Sequence, residues 1–254
     1  MKKYKVLRSL ISTGPYDEFI KTFFYLSKER NSSYVCISNV HMTIEAYINS
    51  NFEKIVNNAD LTTPDGMPLA KAIQLLYGFR QDRVSGMDLV NDLLEISEKC
   101  EKTIFIYGLS QRTLDILIQK INRQFPKLRI DSYSPPFREL CLYEKNEIIN
   151  KINHFNPDFV FVALGCPKQE IWMAEHKDKI QSCMVGLGGA LEVFAGLKRR
   201  APKYMQDYSL EWLYRLIQDP KRLWKRYLVT NSLFIILFFL HYIKDKILKL
   251  NIKL

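Results

Sequence analysis

The sequence predicts an α/β protein: a mostly parallel, Rossmann-like sheet flanked by helices, with a helical C-terminal membrane-associating appendage. Three observations carry this reading. Short β-rich apolar runs alternate with segments of helical periodicity. One run, Asp158-Phe-Val-Phe-Val-Ala163, is apolar beyond its first residue, as in a strand buried on both faces. The charge is lopsided, with 13 Lys/Arg against 4 Asp/Glu in residues 198–254 but 24 against 23 in residues 1–197.

Taken in order, Tyr34–Ser38 reads as a strand and His41–Asn49 as the helix after it. Asp60–Thr63 is a short strand end, followed by a helix over Gly66–Tyr77. Thr103–Tyr107 is a strand turning at Gly108 into a helix that runs to about Gln124. Leu128–Tyr133 and Asp158–Ala163 are strands, and a helix lies near Glu170. Ser182–Val185 is a further strand, and a glycine turn leads to a helix near Ala190–Phe194. Beyond Gly196 come a basic loop, a helical stretch over Leu210–Ile217, a break at Pro220 and a second helix from Lys221 to Tyr242. The chain divides on this pattern into a body (1–197), a basic helical appendage (198–227) and an apolar, then amphipathic tail (228–254).

At 254 residues and 47% hydrophobic content the chain can bury a large core. Five scattered cysteines without Cys-x-x-Cys spacing read as reduced thiols of a cytosolic compartment. Met1–Arg8 is basic with no apolar run behind it, so no signal peptide is expected. The run Ser232–Ile243 is 12 residues, short of the ~20 that a spanning helix needs. With Lys244, Lys246, Lys249 and Lys253 beyond it, the tail is expected to lie on an anionic membrane surface rather than cross it. A chain cut after Tyr227 is expected to stay folded and active on a short acceptor.

In doubly wound sheets ligands bind beyond the carboxyl ends of the strands, so the turns there are the candidate sites. In Thr62-Thr-Pro-Asp-Gly-Met-Pro-Leu69, Pro64 and Gly66 shape a turn around Asp65, which is either a general base or a helix N-cap. Arg83 can neutralise a phosphate leaving group or pair with Asp82 or Asp88. In Gly165-Cys-Pro-Lys-Gln-Glu170, Lys168 and Gln169 can offer donors to the crevice; a solvated loop is the alternative. The amides of the turn at Gly186, Gly188 and Gly189 can hold a diphosphate, or simply make a tight β-α turn. Glu192 can accept from ribose hydroxyls and Phe137 can stack on a base, the alternatives being a first-turn carboxylate and a core plug. His41 can touch a ligand, the alternative being an ordinary helix-start histidine. No Asp-x-Asp occurs and the four histidines lack metal spacing, so no metal site and no cofactor are expected.

Read together, six stretches resemble the WecG/TagA/CpsF family of bacterial glycosyltransferases. They are Thr63-Pro-Asp-Gly-Met-Pro, Arg83-Val-Ser-Gly-Met-Asp-Leu, Ala163-Leu-Gly-Cys-Pro-Lys-Gln-Glu-Ile-Trp-Met, Val185-Gly-Leu-Gly-Gly with Ala195-Gly, Arg200-Ala-Pro, and Leu210-Glu-Trp-Leu-Tyr-Arg-Leu with Asp219-Pro-Lys-Arg. The resemblance spans about Ser38 to Tyr227. It implies inverting, metal-independent transfer of an N-acetylmannosamine-like or other hexose from a UDP-sugar to an undecaprenyl-diphosphate-linked sugar. It further implies a role in cell-surface polysaccharide or teichoic acid synthesis, at the cytoplasmic face of the bacterial plasma membrane. By the same resemblance Asp65 is the base, Arg83 and Gln169 line its pocket, and Ser38 and Asn39 stand at the nucleotide-sugar site. Arg215, Arg222 and Arg226 close over the site and meet the lipid diphosphate. Ile37 departs from the Thr that many members carry at that strand end. A homo-oligomer is compatible with this reading. The rival readings are another nucleotide-binding α/β enzyme, which would want a fuller glycine fingerprint, and a basic nucleic-acid-binding protein, which the confinement of charge to an apolar tail fits poorly.

Overall fold

The computed structural model describes residues 1–251, leaving aside the side chains of Asp207, Arg222 and residues 246–251. The elements run β1 (Lys2–Val6), β2 (Ser9–Thr13), α1 (Tyr16–Glu29), β3 (Ser33–Ser38), α2 (Val40–Ile48), α3 (Ser50–Asn57), β4 (Leu61–Pro64), α4 (Met67–Tyr77), α5 (Gly86–Lys99), β5 (Thr103–Gly108), α6 (Gln111–Gln124) and β6 (Arg129–Tyr133). They continue with α7 (Leu142–Phe155), β7 (Phe159–Ala163), α8 (Lys168–His176), β8 (Cys183–Gly186), α9 (Gly189–Phe194), α10 (Lys203–Asp207), α11 (Glu211–Gln218) and α12 (Pro220–Asn251). Strands β3–β8 form one six-stranded sheet in the order β4-β3-β8-β7-β5-β6. Every pairing in it is parallel.

Alternation along the strands sorts side chains into two cores. Val35 and Ile37 of β3, Ile104 and Ile106 of β5, and Phe159 and Phe161 of β7 pack against α1, α5 and α6 through Phe19, Phe23, Leu93 and Leu117. Their neighbours Tyr34, Cys36, Phe105, Tyr107, Val160 and Val162 face the other way, onto Met42, Val56, Ile152 and Met173 of α2, α3, α7 and α8. Burial on both faces is what the continuous apolar runs predict. Gly108 lets β5 and β7 close up at their ends. Its φ is +115°, and a Cβ there would stand 2.6 Å from the Ala163 carbonyl oxygen.

The β1-β2 hairpin was not legible in the sequence. It lies beside the edge strand β4, where Ser12 Oγ accepts from the Thr62 N–H at 3.1 Å and helps occupy an otherwise open edge. With α2 and α4 the hairpin builds a third core from Val6, Ile11, Ile44, Leu69 and Ile73, and Phe234 of α12 completes it.

No break marks the expected boundary between Tyr227 and Leu228, because α12 runs straight through it. Pro220 supplies the first turn of α12, where a missing N–H costs nothing. Leu223, Tyr227, Thr230 and Phe234 are buried at helical spacing, while Trp224, Leu228, Ile235, Ile236, Phe239, Leu240 and Ile243 are exposed. The helix is thus apolar all round over much of its length. Leu223–Asp245, 23 residues at mean hydropathy 1.5, is long and apolar enough to cross a membrane. The 12-residue run understated this because a helix carries the apolar character across Asn231. The lysines from Lys246 onward have side chains outside the described residues, as do residues 252–254 entirely.

Asp158 ties β7 to β5. Its carboxylate accepts from the Thr103 N–H at 2.9 Å, from Thr103 Oγ1 at 3.1 Å and from Lys102 Nζ at 3.0 Å. Burial pulls its pKa upward, but these donors outweigh burial and hold it below the ordinary carboxylate value. A depressed folded-state pKa stabilises above the unfolded value, and that stability is lost as pH falls through the folded one. Asp158→Asn should therefore cost about 1–3 kcal/mol at neutral pH, with the difference from wild type shrinking in acid. Denaturant midpoints across a pH series measure it.

Candidate active site

The carboxyl ends of β3 and β4 form the floor of a cavity of about 650 Å³, and α11 and α12 form its roof. Asp65 lies on this floor. Its own N–H donates to the Ser38 carbonyl at 2.8 Å, and the Pro64 carbonyl accepts from the Val84 N–H at 2.9 Å. The turn is thereby pinned on both sides. Asp65 does not cap the helix that follows it, since Gly66 is the N-cap of α4 and makes no side-chain cap bond. Instead Oδ1 accepts from the Gly86 N–H of α5 at 2.9 Å. Burial pushes the Asp65 carboxyl above its ordinary value, against the opposing pull of Arg215, the Gly86 N–H, Arg83 and Asn39.

Arg83 also borders the cavity. Its Nη1 meets Glu211 Oε2 at 3.0 Å, and its Nη2 meets Asp88 Oδ2 and Gln206 Oε1, each at 3.2 Å. The pair with Asp88 exists, then, but on a guanidinium that is only 13% exposed and shared with the appendage. A second, more polar cavity of about 720 Å³ lies on its far side, lined by Arg80, Asp88, Asp92 and Arg200, so Arg83 belongs to the wall of both.

Arg215 and Arg226 reach the first cavity from above. The side chain of Arg222 lies outside the described residues. Trp212, Trp224, Tyr227, Phe234 and Ile235 make the roof largely apolar. Asn39 lines the floor and caps α2 through its Oδ1, which accepts from the Met42 N–H at 3.1 Å. The Ser38 hydroxyl is buried without a hydrogen-bond partner. His41 borders the same space, and burial together with the Arg226 charge lowers its pKa to about 4, so the ring is neutral.

Several expected residues stand apart from this cavity. Gln169 is buried and its amide is spent internally: Oε1 accepts from the Gly165 N–H at 3.2 Å, and Nε2 donates to the Gly186 carbonyl at 3.1 Å and to Glu170 Oε1 at 2.7 Å. It ties the turn after β7 to the turn after β8 instead of offering donors to the crevice. The glycines accommodate it, because a Cβ on Gly186 or Gly188 would lie 3.0 Å from the Gln169 amide. The amide cradle expected at that turn is largely occupied as well. The N–H groups of Leu187 and Gly188 donate to the Val162 carbonyl, and that of Ala190 to Leu187. Gly189 opens α9 and lies next to Glu192, whose Oε2 is taken by Lys198 at 2.6 Å. Lys168 is exposed at the start of α8. Phe137 is 94% exposed on the loop after β6, neither a core plug nor part of the cavity wall. Glu211, Gln206 and the tryptophans of the roof went unassigned in the sequence. The one signal for Glu211 was its place beside Trp212 in the Leu210–Leu216 motif.

The arrangement sets two carboxylates with raised proton affinity, Asp65 and Glu211, beside guanidiniums in a partly enclosed space. That is equipment for taking a proton from a hydroxyl while a departing anion is neutralised. Among the described residues no three His, Cys, Asp or Glu side chains gather as a metal-binding group.

Comparison with known proteins identifies the family. Residues 4–247 match the family described as Glycosyl transferase WecG/TagA/CpsF family. An N-acetylglucosaminyldiphosphoundecaprenol N-acetyl-beta-D-mannosaminyltransferase of Bacillus spizizenii is 33% identical over 205 residues, covering 80% of this chain and 77% of the relative. An enzyme of the same name from Staphylococcus aureus strain MW2 is 30% identical over 207 residues, covering 81% and 80%.

Proposed function

The chain belongs to the WecG/TagA/CpsF family of glycosyl transferases, and from that premise we propose that it moves an N-acetylmannosamine-like hexose from a UDP-sugar to an undecaprenyl-diphosphate-linked sugar. The reading carries to this chain the activity named for its relatives. One observation bears most of the weight: Asp65, Arg83 and Arg215 border a single cavity beneath an apolar helix.

In this mechanism Asp65 takes the proton from the acceptor hydroxyl. The hydroxyl oxygen attacks the anomeric carbon from the face opposite UDP, the bond from that carbon to the β-phosphate oxygen breaks, and configuration inverts. UDP departs with the bonding electrons, and Arg83 and Arg215 meet the charge that develops on its diphosphate. Asn39 steadies the Asp65 carboxylate by a hydrogen bond. Arginines do here what a metal ion does in other transferases. The apolar exterior of α12 suits insertion into the lipid that carries the acceptor, at the cytoplasmic face of the plasma membrane, and the roof residues Trp224 and Ile235 would adjoin the polyprenyl chain. The polymer served is a teichoic acid or another cell-surface polysaccharide.

The test is transfer by the full chain in detergent, using UDP-N-acetylmannosamine and a diphosphate-lipid-linked N-acetylglucosamine acceptor. The expected product is a β-linked disaccharide lipid formed equally well with and without EDTA. Retention of configuration, or loss of activity in EDTA that Mg²⁺ restores, contradicts the mechanism. No turnover with any UDP-sugar contradicts the donor class.

A further inference from the structure

We propose that Glu211 is an internal anion that holds the Arg83–Arg215 pair and competes for it with a substrate diphosphate. The inference rests on the reading of this cavity as a diphosphate-handling site. Glu211 opens α11, and its two carboxylate oxygens divide between the two guanidiniums. Oε2 lies 3.0 Å from Arg83 Nη1, and Oε1 lies 3.7 Å from Arg215 Nη2. Oε1 is buried without a hydrogen-bond partner, and the side chain is only 18% exposed. A carboxylate hydrogen-bonded to one guanidinium and ion-paired at longer range with the other puts negative charge where a phosphate would compete for both.

The site is crowded with negative charge. Burial, and after it the nearby Asp65 charge, raises the Glu211 pKa, while Arg215, Arg83 and Arg200 pull it down. A diphosphate entering here brings further negative charge to the same cations, so it competes with Glu211. Both arginines have contacts besides Glu211. Arg83 also holds Asp88 and Gln206, and Arg215 Nη2 lies 3.8 Å from Met87 Sδ. The consequence is a site that discriminates against a weakly held anion and yields to one that brings enough contacts to displace the carboxylate.

The alternative is that Glu211 merely ties α11 to the body through an ion pair. The two roles predict opposite signs. If Glu211 is a tether, its removal loosens the roof and weakens anion binding. If it is a competitor, its removal frees the guanidiniums and tightens it.

The experiment measures pyrophosphate, UDP and uridine binding calorimetrically at one fixed low ionic strength, on full-length wild type, Glu211→Gln and Glu211→Ala. Thermal unfolding of each free protein reports the tethering role separately. The expected result is that both variants bind pyrophosphate and UDP about ten-fold more tightly, with uridine unchanged, since one unit of like charge has been removed beside the anion. Equal or weaker binding of the two anions, or equal tightening for uridine, overturns the proposal. So does failure of wild type and both variants to bind pyrophosphate. Pyrophosphate reports on the arginine pair whatever sugar the enzyme uses, so failure of the transferase reading would show in the turnover assay and not in this measurement.

Discussion

Asp65→Asn should lower transfer by roughly 10² to 10⁴-fold, the usual cost of losing a general base. The substitution keeps the shape, and Asn can still accept the Gly86 N–H that Asp65 accepts at 2.9 Å. It removes only the ability to take a proton. The folded protein should be no less stable for the change. Burial raises the Asp65 pKa above its unfolded value despite the nearby arginines, so the stability this group contributes is present below the unfolded pKa and is lost as pH rises through the folded one. Ionising this carboxyl is therefore a cost to folding that Asn, neutral at every pH, avoids. The expected results are a collapse in turnover, an unchanged or raised melting temperature, and UDP binding no weaker than in wild type. The acid limb of the wild-type pH–rate profile should likewise lie above the range of an ordinary aspartate. Near wild-type turnover by the variant would remove Asp65 from the mechanism.

Truncation after Tyr227 should destabilise the protein severely and abolish transfer even to a water-soluble acceptor analogue. Considered as sequence, the tail looks detachable, and such a truncation should keep the arginines and gain solubility. The packing says otherwise. Leu233, Phe234, Leu237 and Phe238 lie on the third core, over Ile44, Leu69 and Ile73. Full burial of a large apolar side chain is worth about 1.5–3 kcal/mol, and the cut removes the buried Phe234 together with three partly buried neighbours, a large share of the stability of an ordinary domain. The cut also removes Asn231, Phe234 and Ile235 from the wall of the cavity that holds Asp65. Phe234→Ala tests the packing alone and should cost about 3–5 kcal/mol in a denaturant series in detergent. A chain ending at Tyr227 that melts with wild type and turns over the soluble analogue would show that α12 is an anchor and nothing more.

What the sequence determined was local or repetitive. β3, β5, β7 and β8 announced themselves because a strand buried on both faces needs an unbroken apolar run. The turn around Asp65 was legible because Pro64 fixes the backbone and Gly66 frees it within three residues. Six motifs in order then carried the resemblance to the family. Tertiary structure decided everything that depends on residues distant in the chain. Arg83 and Glu211 are 128 positions apart, and only the folding of α11 over the sheet edge makes them partners. Gln169 looked like a donor for a ligand because its sequence cannot show that the Gly186 carbonyl, 17 positions on, takes its amide. The β1-β2 hairpin is polar and short, with no periodicity strong enough to reveal it until β4 stands beside it as an open edge. The character of α12 was divided in the same way. Its apolarity is written in composition, whereas which stripe turns inward to Ile44 and Ile73 and which stays exposed depends on the surface it meets, and that surface exists only once the hairpin, α2 and α4 have packed together.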